Sequence, residues 1–370
     1  MNPHALTALV VDDTIVYRKI LSEILESLEG VQLIGTASHG RLALGRMEQT
    51  PADLVLLDVE MPEMNGLETL VQLKRRWPDT DVIMISGTNM SSAEITVEAL
   101  EQGALDFIRK PEGSDPEASR QELREKLRPL LRHIGTRRNM RAPASAGPPP
   151  TPCPAPAAPT AEPSPTPRPL PGRIEVVGIG VSTGGPNALT ELIPRLPADF
   201  PVPLLVVQHM PPNFTASLAE HLDRRSPLRV CEAREGEVIR SGSVYIAPGG
   251  KHMVVRRHET ASGSQRIIGL NENPPENSCR PSVDVLFRSM AAHYDGGIAT
   301  VVMTGMGNDG CEGVRTLKRR GCHCLTQSAE TCVVYGMPMA VDEAGLSDER
   351  VPLGQLAQRL VRLVRDGGRP

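Results

Sequence analysis

The chain has 370 residues, enough for two domains that each bury their own core. A formal net charge of −4 and an aromatic content of 2% argue against a nucleic-acid-binding surface. No apolar run approaches the ~18 residues of a membrane span, and the start MNPHALTALVVDD lacks the pattern of a signal peptide, so a cytoplasmic protein without membrane insertion is expected. The seven cysteines show no CxxC spacing. Cys322 and Cys324 alternate on one face of a strand-like segment, where reduced, buried thiols are expected rather than metal ligands.

Residues 7–13, TALVVDD, read as an apolar strand ending in two carboxylates. An amphipathic helix pattern follows from Ile15 to Leu28, then a strand over Val31–Ala37. LVLLD at 54–58 is a fully apolar run ending in Asp58, and VIMIS at 82–86 ends in Ser86. Ser91-Ser92-Ala93-Glu94 predicts a capping box opening a helix. Ala104–Ile108 is a fifth short strand, leading to Arg109-Lys110-Pro111. Alternation of this kind predicts a doubly wound parallel sheet with its ligand site at the strands' carboxyl ends. Those ends carry Asp12, Asp13, Asp58, Ser86 and Lys110. Three converging carboxylates would repel one another without a hard cation, and oxygen ligands suit Mg²⁺. Glu117–Met140 is a basic, helix-prone segment, expected to present a solvated face. Residues 142–172 are Pro, Ala, Ser and Thr with little to bury, which reads as a disordered linker.

A second α/β pattern begins at Ile174–Leu189, IEVVGIGVSTGGPNAL. A β-branched run enters Gly180-Val181-Ser182-Thr183-Gly184, and helix-forming residues follow, as in the G-x-S-x-G nucleophile elbow. The pattern also fits a plain βα turn. A dinucleotide turn fits poorly, because Thr183 stands five residues after Gly178 where G-x-G-x-x-G needs glycine. Pro203–Gln208 is the next strand, with His209 at its carboxyl end, and 242–248 is another. Ser282 is placed to cap a helix. Ile298–Thr304 is a buried strand leading through Gly305-Met306-Gly307-Asn308 to Asp309, with a helix to about Arg320. Alone, Asp309 reads as a turn former and His209 as a packing residue. With Ser182 at the same sheet edge they supply nucleophile, base and orienting carboxylate.

Two resemblances extend this reading. The Asp12-Asp13 pair, Asp58 with Met61-Pro62 and Gly66, Ser86 and Lys110-Pro111 resemble a response-regulator receiver domain. The resemblance implies phosphorylation of Asp58, Mg²⁺ held by Asp12, Asp13 and Asp58, and switch roles for Ser86, Phe107 and Lys110. It also implies a cis Lys110–Pro111 peptide. The motifs GIGVSTGGP, VVQHMPPNFTASLAEHL, VYIAPGGKHM, RPSVDVLF, VMTGMGNDG and CVVYGMP resemble the catalytic domain of the chemotaxis protein-glutamate methylesterase/protein-glutamine glutaminase family. That implies a triad of Ser182, His209 and Asp309, oxyanion contacts near Thr183 and Met306, and hydrolysis that needs no cofactor. It also implies chemoreceptors as substrate and a chemosensory histidine kinase as phosphodonor. The expected architecture is a flavodoxin-like receiver (1–135), a Pro-rich linker (136–172) and a Rossmann-like methylesterase domain (173–370). A response-regulator transcription factor is disfavoured because residues 173–365 lack a helix-turn-helix pattern. A non-catalytic chemosensory scaffold is the remaining alternative.

Overall fold

The computed structural model describes residues 5–87, 89–111, 115–141, 173–260 and 263–366. The linker stretch 142–172 lies outside them. The first half runs β1 (Leu6–Val11), α1 (Ile15–Glu26), β2 (Val31–Ala37), α2 (Gly40–Gln49), β3 (Leu54–Asp58), α3 (Gly66–Arg76), β4 (Asp81–Ser86), α4 (Met90–Glu101), β5 (Asp106–Arg109) and α5 (Pro116–Arg141). The sheet order is β2-β1-β3-β4-β5, parallel throughout, which is the flavodoxin-like doubly wound arrangement. β3 and β4 are buried at every position, as strands covered on both faces must be. Because β1 and β3 are neighbours, Asp12, Asp13 and Asp58 emerge at adjacent carboxyl ends.

Two local expectations change, and one is met. The helix expected to open at Ser91 begins at Met90, and its cap is Asn89, whose side chain accepts from the Ser92 amide at 2.6 Å. The Glu60 carboxylate takes the Ser92 hydroxyl and the Asn89 amide group, which fixes this start from outside the helix. The Lys110–Pro111 peptide, expected cis, is trans: among the described residues the cis bond is Arg280–Pro281. In its trans form the Pro111 carbonyl accepts from the Tyr17 hydroxyl at 3.1 Å. The basic segment forms α5, which extends to Arg141 and buries Leu123, Leu127, Leu130, Leu131 and Ile134. Its other side is the expected solvated face, with Arg124, Lys126, Arg128 and Arg132 exposed and ion pairs from Arg120 to Glu23 and Lys126 to Glu122.

The second half runs β6 (Val176–Val181), α6 (Gly185–Leu192), β7 (Leu204–Gln208), α7 (Phe214–Arg225), β8 (Arg229–Glu232), β9 (Ser243–Ile246), β10 (His252–Thr260), β11 (Gly263–Asn271), α8 (Val283–His293), β12 (Ile298–Val302), α9 (Cys311–Lys318), β13 (His323–Gln327), α10 (Met337–Glu343), β14 (Glu349–Val351) and α11 (Leu353–Asp366). Seven of these strands form a parallel sheet ordered β14-β13-β12-β6-β7-β9-β8. From β6 the chain steps to β7 on one side and returns later as β12 on the other. β6 therefore stands at the switch point, with a crevice at its carboxyl end. β10 and β11 form an antiparallel hairpin beside α8.

The two halves touch. α4 rests against α6 and α7, and its Ala93 and Val97 join the buried cluster that contains Leu218 and Leu222. Phe107 of β5 stacks on Phe214 of α7, with centroids 4.7 Å apart and planes 11° from parallel. The Asn187 side chain donates to the Ala104 carbonyl at 3.0 Å, and Glu101 pairs with Arg225.

The glycines of GIGVSTGG have a packing cause besides the turn. A Cβ on Gly180 would lie 2.4 Å from Val283 Cγ1, so α8 approaches β6 only across a residue without a side chain. Gly180→Ala should therefore cost about 1–3 kcal/mol by overpacking, read as a lower urea midpoint for the second half. Val283→Ala in the same chain should restore part of that loss. An unchanged midpoint in the single variant would contradict this account of the packing.

Candidate active site and phosphorylation site

Ser182 follows β6, His209 follows β7, and Asp309 lies in the loop after β12, so the three expected residues converge at the carboxyl edge of adjacent strands. Gly184 caps α6 in a left-handed conformation (φ 72°), the backbone a sharp strand-to-helix turn requires. The His209 amide donates to the Val181 carbonyl at 3.1 Å, and Gln208 Nε2 donates to the Ser182 carbonyl at 2.9 Å. The loop after β12 lies hard against the serine: a Cβ on Gly305 would fall 2.7 Å from Ser182 Cβ.

Asp309 is buried, and its carboxylate accepts from His209 Nε2 (2.8 Å), the Val283 amide (2.7 Å), the Asp284 amide (3.0 Å), Ser282 Oγ (2.9 Å) and Asn277 Nδ2 (2.9 Å). It thus sits on the amino terminus of α8, where unpaired amides and the helix dipole favour an anion. Burial alone would raise its pKa, but the His209 bond and the α8 amides hold it far below the usual carboxylate range. Burial alone would lower the pKa of His209. Its hydrogen bonds to Asp309 and to Cys279, whose Sγ lies 3.5 Å from Nδ1, instead push it up to about 9. The ring's hydrogen bonds run to Asp309 and Cys279, not to Ser182. Ser282 caps α8 as expected, accepting from the Val285 amide. Its own amide donates to Nδ1 of the fully buried His252 at 3.2 Å, which anchors the cap to β10.

Thr183 and Met306 flank the crevice. Among the described residues neither amide enters a backbone hydrogen bond of the turns. The Thr183 carbonyl is held by Thr304 Oγ1 at 2.9 Å. Burial pushes the Cys322 thiol up to about 12 and raises Cys324 as well, so both are protonated core residues.

In the first half, ligand oxygens of Asp12, Asp13 and Asp58 lie within 4.8 Å of one another. Lys110 Nζ stands 2.9 Å from Asp12 Oδ2 and 2.8 Å from Asp58 Oδ2. Neither of those buried oxygens receives a well-directed hydrogen bond. Burial and then the Asp12 charge push Asp58 up to about 7. An all-oxygen set short of compensating charge fits a hard divalent cation such as Mg²⁺. Ser86 is not turned to Asp58. Its hydroxyl meets Thr96 Oγ1 of α4 at 2.7 Å. Phe107 is half-buried in its stack with Phe214.

Comparison with known proteins agrees with both halves. Residues 177–360 match the CheB methylesterase family, and residues 8–124 match the response regulator receiver domain. A protein-glutamate methylesterase/protein-glutamine glutaminase of Desulfotalea psychrophila is 44% identical, over 97% of this chain and 99% of its own. Its counterpart in Trichodesmium erythraeum is 40% identical, over 96% and 98%. The crystal structure of the Thermotoga maritima CheB methylesterase catalytic domain superposes with a TM-score of 0.50 at 41% identity, covering 52% of this chain and 99% of that one. The chain belongs to the protein-glutamate methylesterase/protein-glutamine glutaminase family, with a receiver domain preceding the methylesterase domain.

Sequence reasoning missed Asn277, Cys279 and His252. RPSVDVLF pointed to the Ser282 cap, but the residues just before it carried no recognisable spacing. A histidine following Gly249-Gly250-Lys251 gave no hint that it is wholly buried.

The raised pKa of His209 has a sign that can be tested. An unfolded histidine titrates near ~6.5. The folded site binds a proton up to about pH 9, so this pairing adds stability that is full below ~6.5 and fades as pH rises through 9. The stability gap between wild type and Asp309→Asn, from urea unfolding, should therefore narrow from pH 6 to pH 10. A gap constant across that range would contradict the pairing.

Proposed function

We propose that this chain is a phosphorylation-activated serine hydrolase acting on glutamyl methyl esters, and on glutamines, in chemoreceptor signalling helices. The observation that carries the reading is Asp309, fixed on α8 and hydrogen-bonded to His209 beside the Ser182 elbow. Ser182 Oγ attacks the ester γ-carbonyl while His209 takes its proton. The oxyanion lies toward the Thr183 and Met306 amides. His209 returns the proton to the departing methoxide, which leaves as methanol, and then activates the water that hydrolyses the acyl-enzyme. A glutamine amide passes through the same tetrahedral geometry and loses ammonia. Nothing in this sequence of steps calls for a metal.

Asp58 is the proposed phosphoacceptor, served by a chemosensory histidine kinase. Asp12, Asp13 and Asp58 would hold Mg²⁺, which when bound neutralises charge during phosphoryl transfer. Lys110 pairs with the carboxylates, and Ser86 would turn from Thr96 toward the phosphoryl group. The contact between the halves supports restraint of the esterase by the receiver. Phe107 stacks on α7, Asn187 of α6 binds the Ala104 carbonyl, and Asp106, raised to about 7 by burial, faces the Gly184 amide two residues from Ser182. Motion of Ser86 and Phe107 on phosphorylation would loosen this packing.

Two measurements test the reading. Methanol release from methylated receptor membranes should fall by roughly 10⁶ in kcat for Ser182→Ala. A variant keeping a tenth of wild-type hydrolysis would remove Ser182 as nucleophile, whereas no methanol release by the wild type would favour the scaffold alternative. Acetyl phosphate with Mg²⁺ should raise kcat/KM of the full chain toward that of the isolated 173–370 fragment and leave Asp58→Asn unchanged. Equal kcat/KM for the unphosphorylated chain and the fragment would show that the receiver does not restrain the esterase.

A further inference from the structure

Between β11 and α8 the chain makes a tight turn beside His209. Glu276 and Cys279 exchange both backbone hydrogen bonds, at 3.1 and 2.9 Å. The two residues between them, Asn277 and Ser278, have φ of 52° and 61°. Positive φ at both central positions is the geometry of a type I′ turn, in which asparagine is among the few side chains readily accommodated. Arg288 of α8 grips the Glu276 carboxylate with both terminal nitrogens, at 2.7 and 2.5 Å. Asn277 Nδ2 lies 2.9 Å from both Asp284 Oδ2 and Asp309 Oδ1. The turn is thus pinned at each end, and it delivers Cys279 Sγ to His209 Nδ1.

An imidazole has two nitrogens, and Nε2 is committed to Asp309. Nδ1 alone is left to take a proton from Ser182, and the thiol stands on it. We propose that Cys279 is a positioning residue of this centre: its thiol holds the His209 ring by Nδ1 in the resting state and yields that nitrogen to Ser182 during the reaction. The proposal rests on the reading of Ser182, His209 and Asp309 as a catalytic triad. The groups that face His209 are Asp309 from the loop after β12 and Cys279 from the turn, with Asp284 and Arg288 of α8 behind Asp309. In the charged ring Nε2–H donates to Asp309 and Nδ1–H to Cys279 Sγ, so both partners favour the imidazolium, and the sulfur, as acceptor, raises the basicity of His209 while keeping more of it protonated near neutrality.

Removing the thiol therefore has a defined sign. In Cys279→Ala, His209 loses a partner that favours its charged form, and its titration moves to lower pH. A shift of about half a pH unit makes roughly a threefold larger fraction of the base neutral at pH values below the limb. Cys279→Ser keeps a hydrogen-bonding group and should titrate closer to wild type. The measurement is ¹⁵N NMR titration of the His209 ring in the full chain, beside the pH profile of kcat/KM for methanol release from methylated receptor membranes. The expected result is a matching downward shift in both for Cys279→Ala, largely reversed in Cys279→Ser. An unmoved His209 titration in Cys279→Ala, or activity lowered equally at every pH, would overturn the proposal. Wild-type hydrolysis by Ser182→Ala, assayed in parallel, would overturn the triad reading instead, and the NMR titration distinguishes the two failures.

Discussion

The catalytic half depends on one buried carboxylate. Asp309 enters the amino terminus of α8 from a different part of the chain, and five donors close around it. Removing such a charge from water is costly unless every lone pair is answered, and here the answer comes from a helix end, a cap, an amide and an imidazole. That demand explains several otherwise separate features. Ser282 must cap α8, His252 must be buried to hold the Ser282 amide, and Gly180 must lack a side chain so that α8 can approach β6. The orientation of His209 follows from the same packing.

The receiver half is organised by an opposite imbalance. Three carboxylates share one corner with a single lysine, and Asp58 is pushed up to about 7 by burial and Asp12. A corner of this kind, short of positive charge, fits a hard cation. β4 and β5 lead from it to α4 and Phe107, which pack on α6 and α7 of the second half. Ser86 bonded to Thr96 and Phe107 stacked on Phe214 are the resting partners that a proposed switch would exchange.

Much of this was legible in the sequence for a physical reason. Fully buried parallel strands such as LVLLD and IATVV announce themselves as apolar runs, and βα loops display their functional residues directly after them. The positions of Asp58, Ser182, His209 and Asp309 at strand ends could be read in that way. The short strands β8 and β14, the β10–β11 hairpin and the helices α10 and α11 were not, because their patterns are brief or ambiguous between helix and strand. The start of α4 was misplaced because Glu60, thirty positions away in effect, decides which residue caps it. Asn277 and Cys279 were illegible for a similar reason: their roles arise from a turn whose partners, Asp309, Asp284 and His209, are distant along the chain.

The central claim is that His209, aligned by Asp309, activates Ser182 as the nucleophile. A fluorophosphonate that reacts only with an activated serine tests it most directly, with the adduct located by peptide mass spectrometry. The account predicts a single adduct on Ser182, formed faster after acetyl phosphate treatment and lost in His209→Ala. An adduct at another residue, or undiminished labelling of Ser182 in His209→Ala, would contradict it.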